Sequence, residues 1–333
     1  MREITGHIKN YAWGIKGNTS LVADLAKSGK HINNIDHELS YAELWLGTHK
    51  SGMSHYFGTD DEISTELFYL LKVLSIGKTL SIQIHPNKNL AEKLHRQKKH
   101  IYPDSNDKPE MAVCLTNCEV LCGLQSFSKM MENSKQFPEV ILEKIFNTPI
   151  NVVETIVERL MDKEDKTQVE ELILRLYQEH GIDSGILAPI IMNYICLKPG
   201  EALVVYPDTP HAYMSGQMIE CMKCSDNVIR LGLTPKIKDL ETLDKLIMQN
   251  EYAILSEREV YDPININFRL KKFDVLEKRE IIVKKRSILL IIEGEGTINK
   301  ENVHRGQACY FDEDMLIFAL GKLKIIIAED KFI

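Results

Sequence analysis

The spacing of apolar residues changes twice along the chain. Up to about residue 127 they fall in short runs broken by loops. The clearest run is Leu80-Ser81-Ile82-Gln83-Ile84-His85, which alternates apolar and polar and is stopped by Pro86. Alternate residues of a strand share a face, so Ser81, Gln83 and His85 project one way and Ile82 and Ile84 the other. Val113–Cys122 reads as a second strand-like run. From about 128 to 195 the spacing becomes helical. Val152, Val153, Ile156, Val157 and Leu160 make one apolar face, and Leu172, Ile173, Leu176 and Tyr177 the next. Thr167 and Glu170 form a capping box ahead of the second face, and Gly181 stands where a C-cap belongs. From about 196 onward the texture is β again. Its clearest strands are Ala202–Tyr206, Ile288–Ile292, Ala308–Phe311 and Leu323–Ala328, punctuated by Gly200, Gly294, Gly296, Gly306 and Gly321.

Two of these β segments echo each other. Lys198–Val205 and His304–Phe311 are each a turn leading into an apolar strand, and a strand ending in Glu293-Gly294-Glu295-Gly296 precedes the second. Small antiparallel barrels of the cupin type are written this way, and an ordinary β-sandwich fits the same pattern. The expected fold is mainly β with a helical insertion: two cupin-type β-barrels (jelly rolls) and an α-helical domain. Residues 1–127 and 196–240 would form the catalytic barrel, 128–195 the helical domain and 241–333 a C-terminal cupin-like β domain. The length of 333 residues has room for about two domains and an insertion.

Composition narrows the function. Apolar residues make up 44% of the chain and charged residues 27%, an ordinary globular balance that excludes disorder and coiled coil. The longest purely apolar run is Met315–Leu320, too short to span a bilayer, and MREITGHIKN lacks an apolar signal core. The formal charge of −7 gives no global attraction for nucleic acid, so an anionic substrate needs a local basic cluster. Seven cysteines, an odd number in a large chain, point to reduced thiols and a cytoplasmic setting. Cys221 and Cys224 form a CxxC, which would serve a zinc ribbon or a redox pair. The spacing of Cys114, Cys118 and Cys122 supplies no second half, and Met218–Arg230 alternates like a strand. Buried or half-buried thiols are the simpler reading.

The polar face of the Ser81–His85 strand carries the strongest chemical signal. Burying a hydroxyl, an amide and an imidazole without partners would cost roughly 1–3 kcal/mol each. The face therefore needs water, a ligand or a metal, unless it is the solvated side of an edge strand. Lys108-Pro109-Glu110 places a carboxylate just ahead of an apolar strand, and Pro210-His211 places an imidazole just after another. Each of His85, Glu110 and His211 adjoins a proline, which restricts the backbone beside it. Gln83, His85, Glu110 and His211 would form a mixed N/O site that leaves a bound Zn²⁺ with a net charge of about +1, suited to a Lewis acid. His7, His31, His37, His95, His100 and His180 lie in polar surroundings and read as surface residues. Arg230, Lys236 and Lys238 concentrate positive charge within nine positions, either as a phosphate-binding loop or as a solvated basic one.

Together these segments resemble the type I mannose-6-phosphate isomerases of the cupin superfamily. The resemblance rests on Asn10–Gly14, Tyr41–His49, LSIQIHPNKNLAEKLH from Leu80 to His95, KPEMA from Lys108 to Ala112, PHAYMSG from Pro210 to Gly216, and Ile219–Asp239. It implies a zinc-dependent aldose–ketose isomerase that interconverts mannose 6-phosphate and fructose 6-phosphate through an enediol. One Zn²⁺ per chain would sit on Gln83, His85, Glu110 and His211. Arg230 takes the place of the family's catalytic arginine. Lys108, Glu220 and Tyr213 are its candidates for proton transfer, and Ser81, Lys236 and Trp13 would hold the substrate. A monomer acting on a small phosphorylated sugar is expected, with neither nucleic acid nor membrane as partner. Asp107 departs from the family's frequent Asn-His-Lys-Pro-Glu pattern, so a ring-opening role for that histidine would pass to Asp107, water or another group. The chain is also shorter than many members, which implies a trimmed helical insertion or last barrel. The competing reading is a non-catalytic cupin that binds a sugar phosphate or a metal.

Overall fold

In a computed structural model, which describes residues 1–246 and 248–331, one strand organises the first of two large antiparallel sheets. His211–Lys223 runs for 13 residues. Its second half pairs with Tyr69–Ile76 on one side and Glu110–Cys114 on the other. Its first half turns to Cys118–Leu124 and, through His211, to Ile82–Ile84. The change of partners falls at Gly216, where φ is 113°. A Cβ there would meet the Cys118 sulfur at 2.5 Å and the Asn117 carbonyl at 2.8 Å, so only glycine permits the bend. Eleven strands join this sheet.

The second sheet has nine strands around Met315–Asp330, which pairs with Phe268–Val275, Lys278–Val283 and Ser287–Ile298. Membership does not follow chain order. Arg2–Thr5 pairs with Ala308–Phe311 and with His55–Tyr56, so two early strands belong to the later sheet. The two sheets share one apolar core, with Ile4, Leu44, Val73, Val204 and Ile219 packed with Leu270, Ile288, Leu290 and Ile326. At about 25 cal/mol per Å² of apolar surface removed from water, this shared cluster holds the two sheets together.

The helical spacing is realised in Ile150–Met161 and Gln168–His180, which bury Val153, Ile156, Val157 and Leu160 and then Leu172, Ile173 and Leu176. Both halves of the Thr167–Glu170 capping box form, and Gly181 closes the helix at φ 72° with its N–H on the Tyr177 carbonyl. These helices pack on Ile82, Ile84, Ile229 and Leu231. They thereby cover the apolar backs of the strands that carry Gln83 and Arg230.

Several expectations shift in detail. The Leu80–His85 strand shortens to Ile82–Ile84, because Leu80 is spent on a bond to the Tyr213 carbonyl and Pro86 has no donor. Val113–Cys122 is two strands in sequence, ending at Cys114 and restarting at Cys118. His31 is not a surface residue: it accepts from the Gly6 N–H at 3.0 Å, its other nitrogen lies 2.9 Å from the Gly306 carbonyl, and burial lowers its pKa to about 4. His95 and His180 are likewise half-buried, while His7, His37 and His100 are exposed. All seven cysteines are free thiols, with Cys221 buried on the central strand and Cys224 half-buried just after it. No helix among the described residues is long and apolar enough to cross a membrane.

Candidate metal centre

Three side chains from separate strands meet at the first half of His211–Lys223. His85 lies just beyond Ile82–Ile84, Glu110 opens Glu110–Cys114, and His211 opens the central strand. One donor atom from each lies within 4.8 Å of the other two, and all three residues are buried. His85 Nε2 is 3.0 Å from Glu110 Oε1, and His211 Nε2 is 3.4 Å from Glu110 Oε2.

The protonation pattern says what the cluster is for. His85 Nδ1 is 2.8 Å from the Asn227 carbonyl, and His211 Nδ1 is 2.9 Å from the Thr209 carbonyl. A carbonyl only accepts, so each Nδ1 carries a proton and each Nε2 is the ring nitrogen turned toward Glu110. Neither Nε2 makes a hydrogen bond. Burial lowers the His85 pKa to about 4, with Lys108 adding to the effect, so this ring is neutral near pH 7. Burial by itself would raise the Glu110 carboxyl, but Lys108 and its other neighbours outweigh it and hold it well below the usual carboxylate range. Two unbonded imidazole nitrogens, one on a neutral ring, and a carboxylate thus face one another in a dry site. That arrangement is repulsive until a cation lies between them, and carbonyl-anchored imidazoles are how metal-ligating histidines are oriented. The donor set of two nitrogens and an oxygen fits a divalent transition metal.

Gln83 stands in cross-strand register with both His211 and Arg230, half-buried on the face opposite Ile82 and Ile84. Arg230 is half-buried, and burial lowers its pKa. Ser81 sits two residues before Gln83, also half-buried. Lys108 reaches Glu110 Oε1 at 2.9 Å with its side chain only 9% exposed. The Tyr213 hydroxyl donates to Glu110 Oε2 at 3.4 Å, and burial with the Glu110 and Glu220 charges holds its pKa well above the ordinary value. Trp13 stacks on Tyr11 at 5.8 Å and packs against the apolar cluster that contains Tyr213. Lys236 is exposed but within electrostatic reach of Arg230, Glu43 and Asp226. Asp107 accepts from Lys223 Nζ and stands apart from the metal-site triad.

The structure adds residues that spacing did not select. Lys72 is buried beside the site, 2.8 Å from Glu220 Oε2 and 3.8 Å from Glu43 Oε2. Burial works against its charge, but Glu220, Glu43 and Glu110 outweigh burial and raise its pKa. Trp45 lies against the same ammonium at 5.2 Å. His49 Nε2 is 3.3 Å from Asp226 Oδ1, and its ring stands edge-on to Trp45 at 5.0 Å. Asn227 is fully buried, and its amide donates to Asp104 and to the Asn106 carbonyl. It thereby fixes the carbonyl that orients His85. A lone Lys inside Tyr69–Ile76, and a lone Glu inside Glu43–Leu46, were readable signals of buried charges that need partners.

Comparison with known proteins agrees with this geometry. A family model described as phosphomannose isomerase type I, catalytic domain, matches residues 1–65 and 58–127. A probable mannose-6-phosphate isomerase of Caenorhabditis elegans is 38% identical over 291 residues, covering 73% of this chain and 70% of that one. Mannose-6-phosphate isomerase 2 of Arabidopsis thaliana is 31% identical over 401 residues, covering 96% and 90%. That alignment is longer than the 333-residue chain, so the plant relative carries insertions absent here. A crystal structure of zinc-bound mannose 6-phosphate isomerase superposes with a TM-score of 0.82 at 23% identity, over 99% of both chains. At that identity the superposition establishes the fold.

Proposed function

The chain belongs to the type I phosphomannose isomerase family, and on that premise we propose that it interconverts mannose 6-phosphate and fructose 6-phosphate with one Zn²⁺ held by Gln83, His85, Glu110 and His211. The observation that carries the metal assignment is the pair of buried, unbonded Nε2 atoms facing the Glu110 carboxylate. When bound, the zinc supplies Lewis-acid polarisation of the sugar's oxygens and stabilises charge that develops on them.

The chain's own residues do the rest. Aldose–ketose exchange needs a group that moves a proton between C1 and C2. Tyr213 fits that role worst, since its pKa lies well above ordinary and its hydroxyl is already given to Glu110. Glu220 fits better. Burial raises its pKa, which brings a carboxyl closer to the working pH of a base, while the Lys72 ammonium keeps it from rising further. Lys108 stands over Glu110 as the second candidate, placed to donate to a substrate oxygen. Arg230, in register with Gln83, supports the enediolate, and Ser81, Lys236 and Trp13 hold the phosphorylated sugar.

The same reading assigns the two sheets to cupin-type barrels. Residues 1–127 and 196–240 form the catalytic unit, 128–195 the helical one and 241–333 the C-terminal one, with Arg2–Thr5 and His55–Tyr56 pairing across. It describes a cytoplasmic monomer whose partner is a small sugar phosphate rather than nucleic acid or membrane. The deciding experiment is a coupled isomerase assay on purified protein, with and without a chelator. Turnover that vanishes on chelation and returns with zinc is expected. A metal-replete protein with no turnover would leave the sugar-phosphate binder standing instead.

Two variants separate the roles. Lys236→Ala should raise KM for mannose 6-phosphate by about 10–100-fold, the value of one charged hydrogen bond, with zinc content unchanged. Arg230→Ala should lower kcat by about 10²–10³-fold, as expected for loss of one preorganised group at a developing oxyanion, with the metal in place. Zinc analysis beside steady-state kinetics checks both.

A further inference from the structure

The segment after Arg230 carries the charges of Lys236 and Lys238, yet its course is not one the residues would choose alone. Leu233 has a φ of 57°, a left-handed conformation that a branched apolar residue rarely adopts, and Pro235, Lys236 and Ile237 are exposed. What pins it comes from the helical segment. Asp183 lies just ahead of the short turn Ser184–Ile190. Its Oδ1 accepts from the Gly185 N–H at 2.7 Å and from the Leu233 N–H at 3.0 Å, and its Oδ2 takes Lys238 Nζ at 3.1 Å.

The two backbones touch where this happens. A Cβ on Gly232 would lie 2.5 Å from the Gly185 Cα, and one on Gly185 would lie 2.8 Å from the Gly232 Cα. Two bare glycines let one carboxylate oxygen bridge amides from segments far apart in sequence. The far end is pinned separately. Asp239 accepts from Lys98 Nζ at 2.8 Å and from the Tyr102 hydroxyl at 3.0 Å. Lys236 therefore sits midway between two fixed points, with Arg230 just ahead of the first.

We propose that Asp183 is a positioning residue for the substrate's phosphoryl group: it holds the segment that carries Lys236 in place and so governs affinity without itself meeting the substrate. The proposal rests on the reading of Lys236 as a phosphate-binding residue. The helical segment thereby acquires a functional reason to be packed where it is, beyond covering Ile229 and Leu231.

The test uses the full chain, with mannose 6-phosphate as substrate and inorganic phosphate as competitive inhibitor. Asp183→Ala should raise KM and the phosphate inhibition constant together by about 10–100-fold, the usual penalty for a misplaced binding group, while kcat stays within about 3-fold. Zinc should remain at the wild-type level. Asp183→Asn keeps the shape and an acceptor oxygen for the two amides. It should fold and sit between the two, with KM raised about 2–5-fold by the lost pairing to Lys238. A folded variant whose phosphate inhibition constant does not move overturns the proposal, as does one in which kcat and zinc fall along with affinity. Lys236→Ala is the control. If it leaves phosphate inhibition unchanged, the phosphate reading itself fails; if it weakens inhibition while both Asp183 variants do not, only the role of Asp183 fails.

Discussion

Replacing His211 with alanine should abolish zinc binding and turnover in one step. The substitution removes one of the two imidazole nitrogens aimed at Glu110 and leaves a carboxylate answered by Lys108 and the Tyr213 hydroxyl. A divalent ion polarising a substrate oxygen contributes several kcal/mol of transition-state stabilisation, so kcat should fall by about 10³-fold or more. The fold should survive, because residue 211 begins a strand whose neighbours Ala212 to Met214 keep their packing and because the buried Glu110 charge keeps Lys108 beside it. The measurement is metal content by mass spectrometry beside turnover, with the circular dichroism spectrum as the fold control. His85→Ala should behave the same way. Full activity in a metal-free His211→Ala protein would end the metal assignment, whereas bound zinc with lost activity would move His211 from ligand to catalyst.

Much of this centre was legible before any coordinates. The alternation of Ser81, Gln83 and His85 marked a polar strand face, and the burial of His85 excludes the solvated-edge alternative for that residue. Glu110 and His211 stood out because each adjoins a proline at the mouth of an apolar strand. The helical segment was equally plain, since its spacing, capping box and terminal glycine agree with one another. What the pattern could not carry was pairing at a distance. Arg2–Thr5 looks like any short strand, and only register shows that it joins Ala308–Phe311. The carbonyls of Asn227 and Thr209 orient the two imidazoles, and a backbone carbonyl has no sequence signature. His31 looked like a surface residue because its chain neighbours are polar; its partners, Gly6 and Gly306, come from elsewhere.

The buried charges behind the metal centre were legible in principle and set up the second large effect. Lys72→Ala should destabilise the protein by about 3–5 kcal/mol near neutral pH, the range expected when one partner of a buried ion pair is removed. All eight residues of Tyr69–Ile76 are buried, and Lys72 stands in register with Trp45 on one side and Glu220 on the other. Its ammonium is the cation shared by Glu220 and Glu43. Without it two carboxylates face each other in a dry layer.

The effect should depend on pH, with a definite sign. Burial already raises the Glu220 pKa in the native protein, against the opposing pull of Lys72. Removing Lys72 lets it rise further, so the folded variant binds a proton more readily than the unfolded chain. A carboxyl whose folded pKa is raised stabilises below its unfolded pKa, and that stability is lost as pH rises through the folded value. Urea midpoints of Lys72→Ala should therefore approach those of the wild type near pH 5 and separate toward pH 8. Lys72→Met combined with Glu220→Gln should restore most of the midpoint at pH 8, since it removes the nearer of the two carboxylate charges while keeping the volume and leaves Glu43 its bond from Trp45 Nε1. A Lys72→Ala protein as stable as the wild type at pH 8, with no trend toward acid, would show that the ammonium does not hold these carboxylates. The Glu220 carboxyl would then lack the electrostatic control that the proposed role in proton transfer requires.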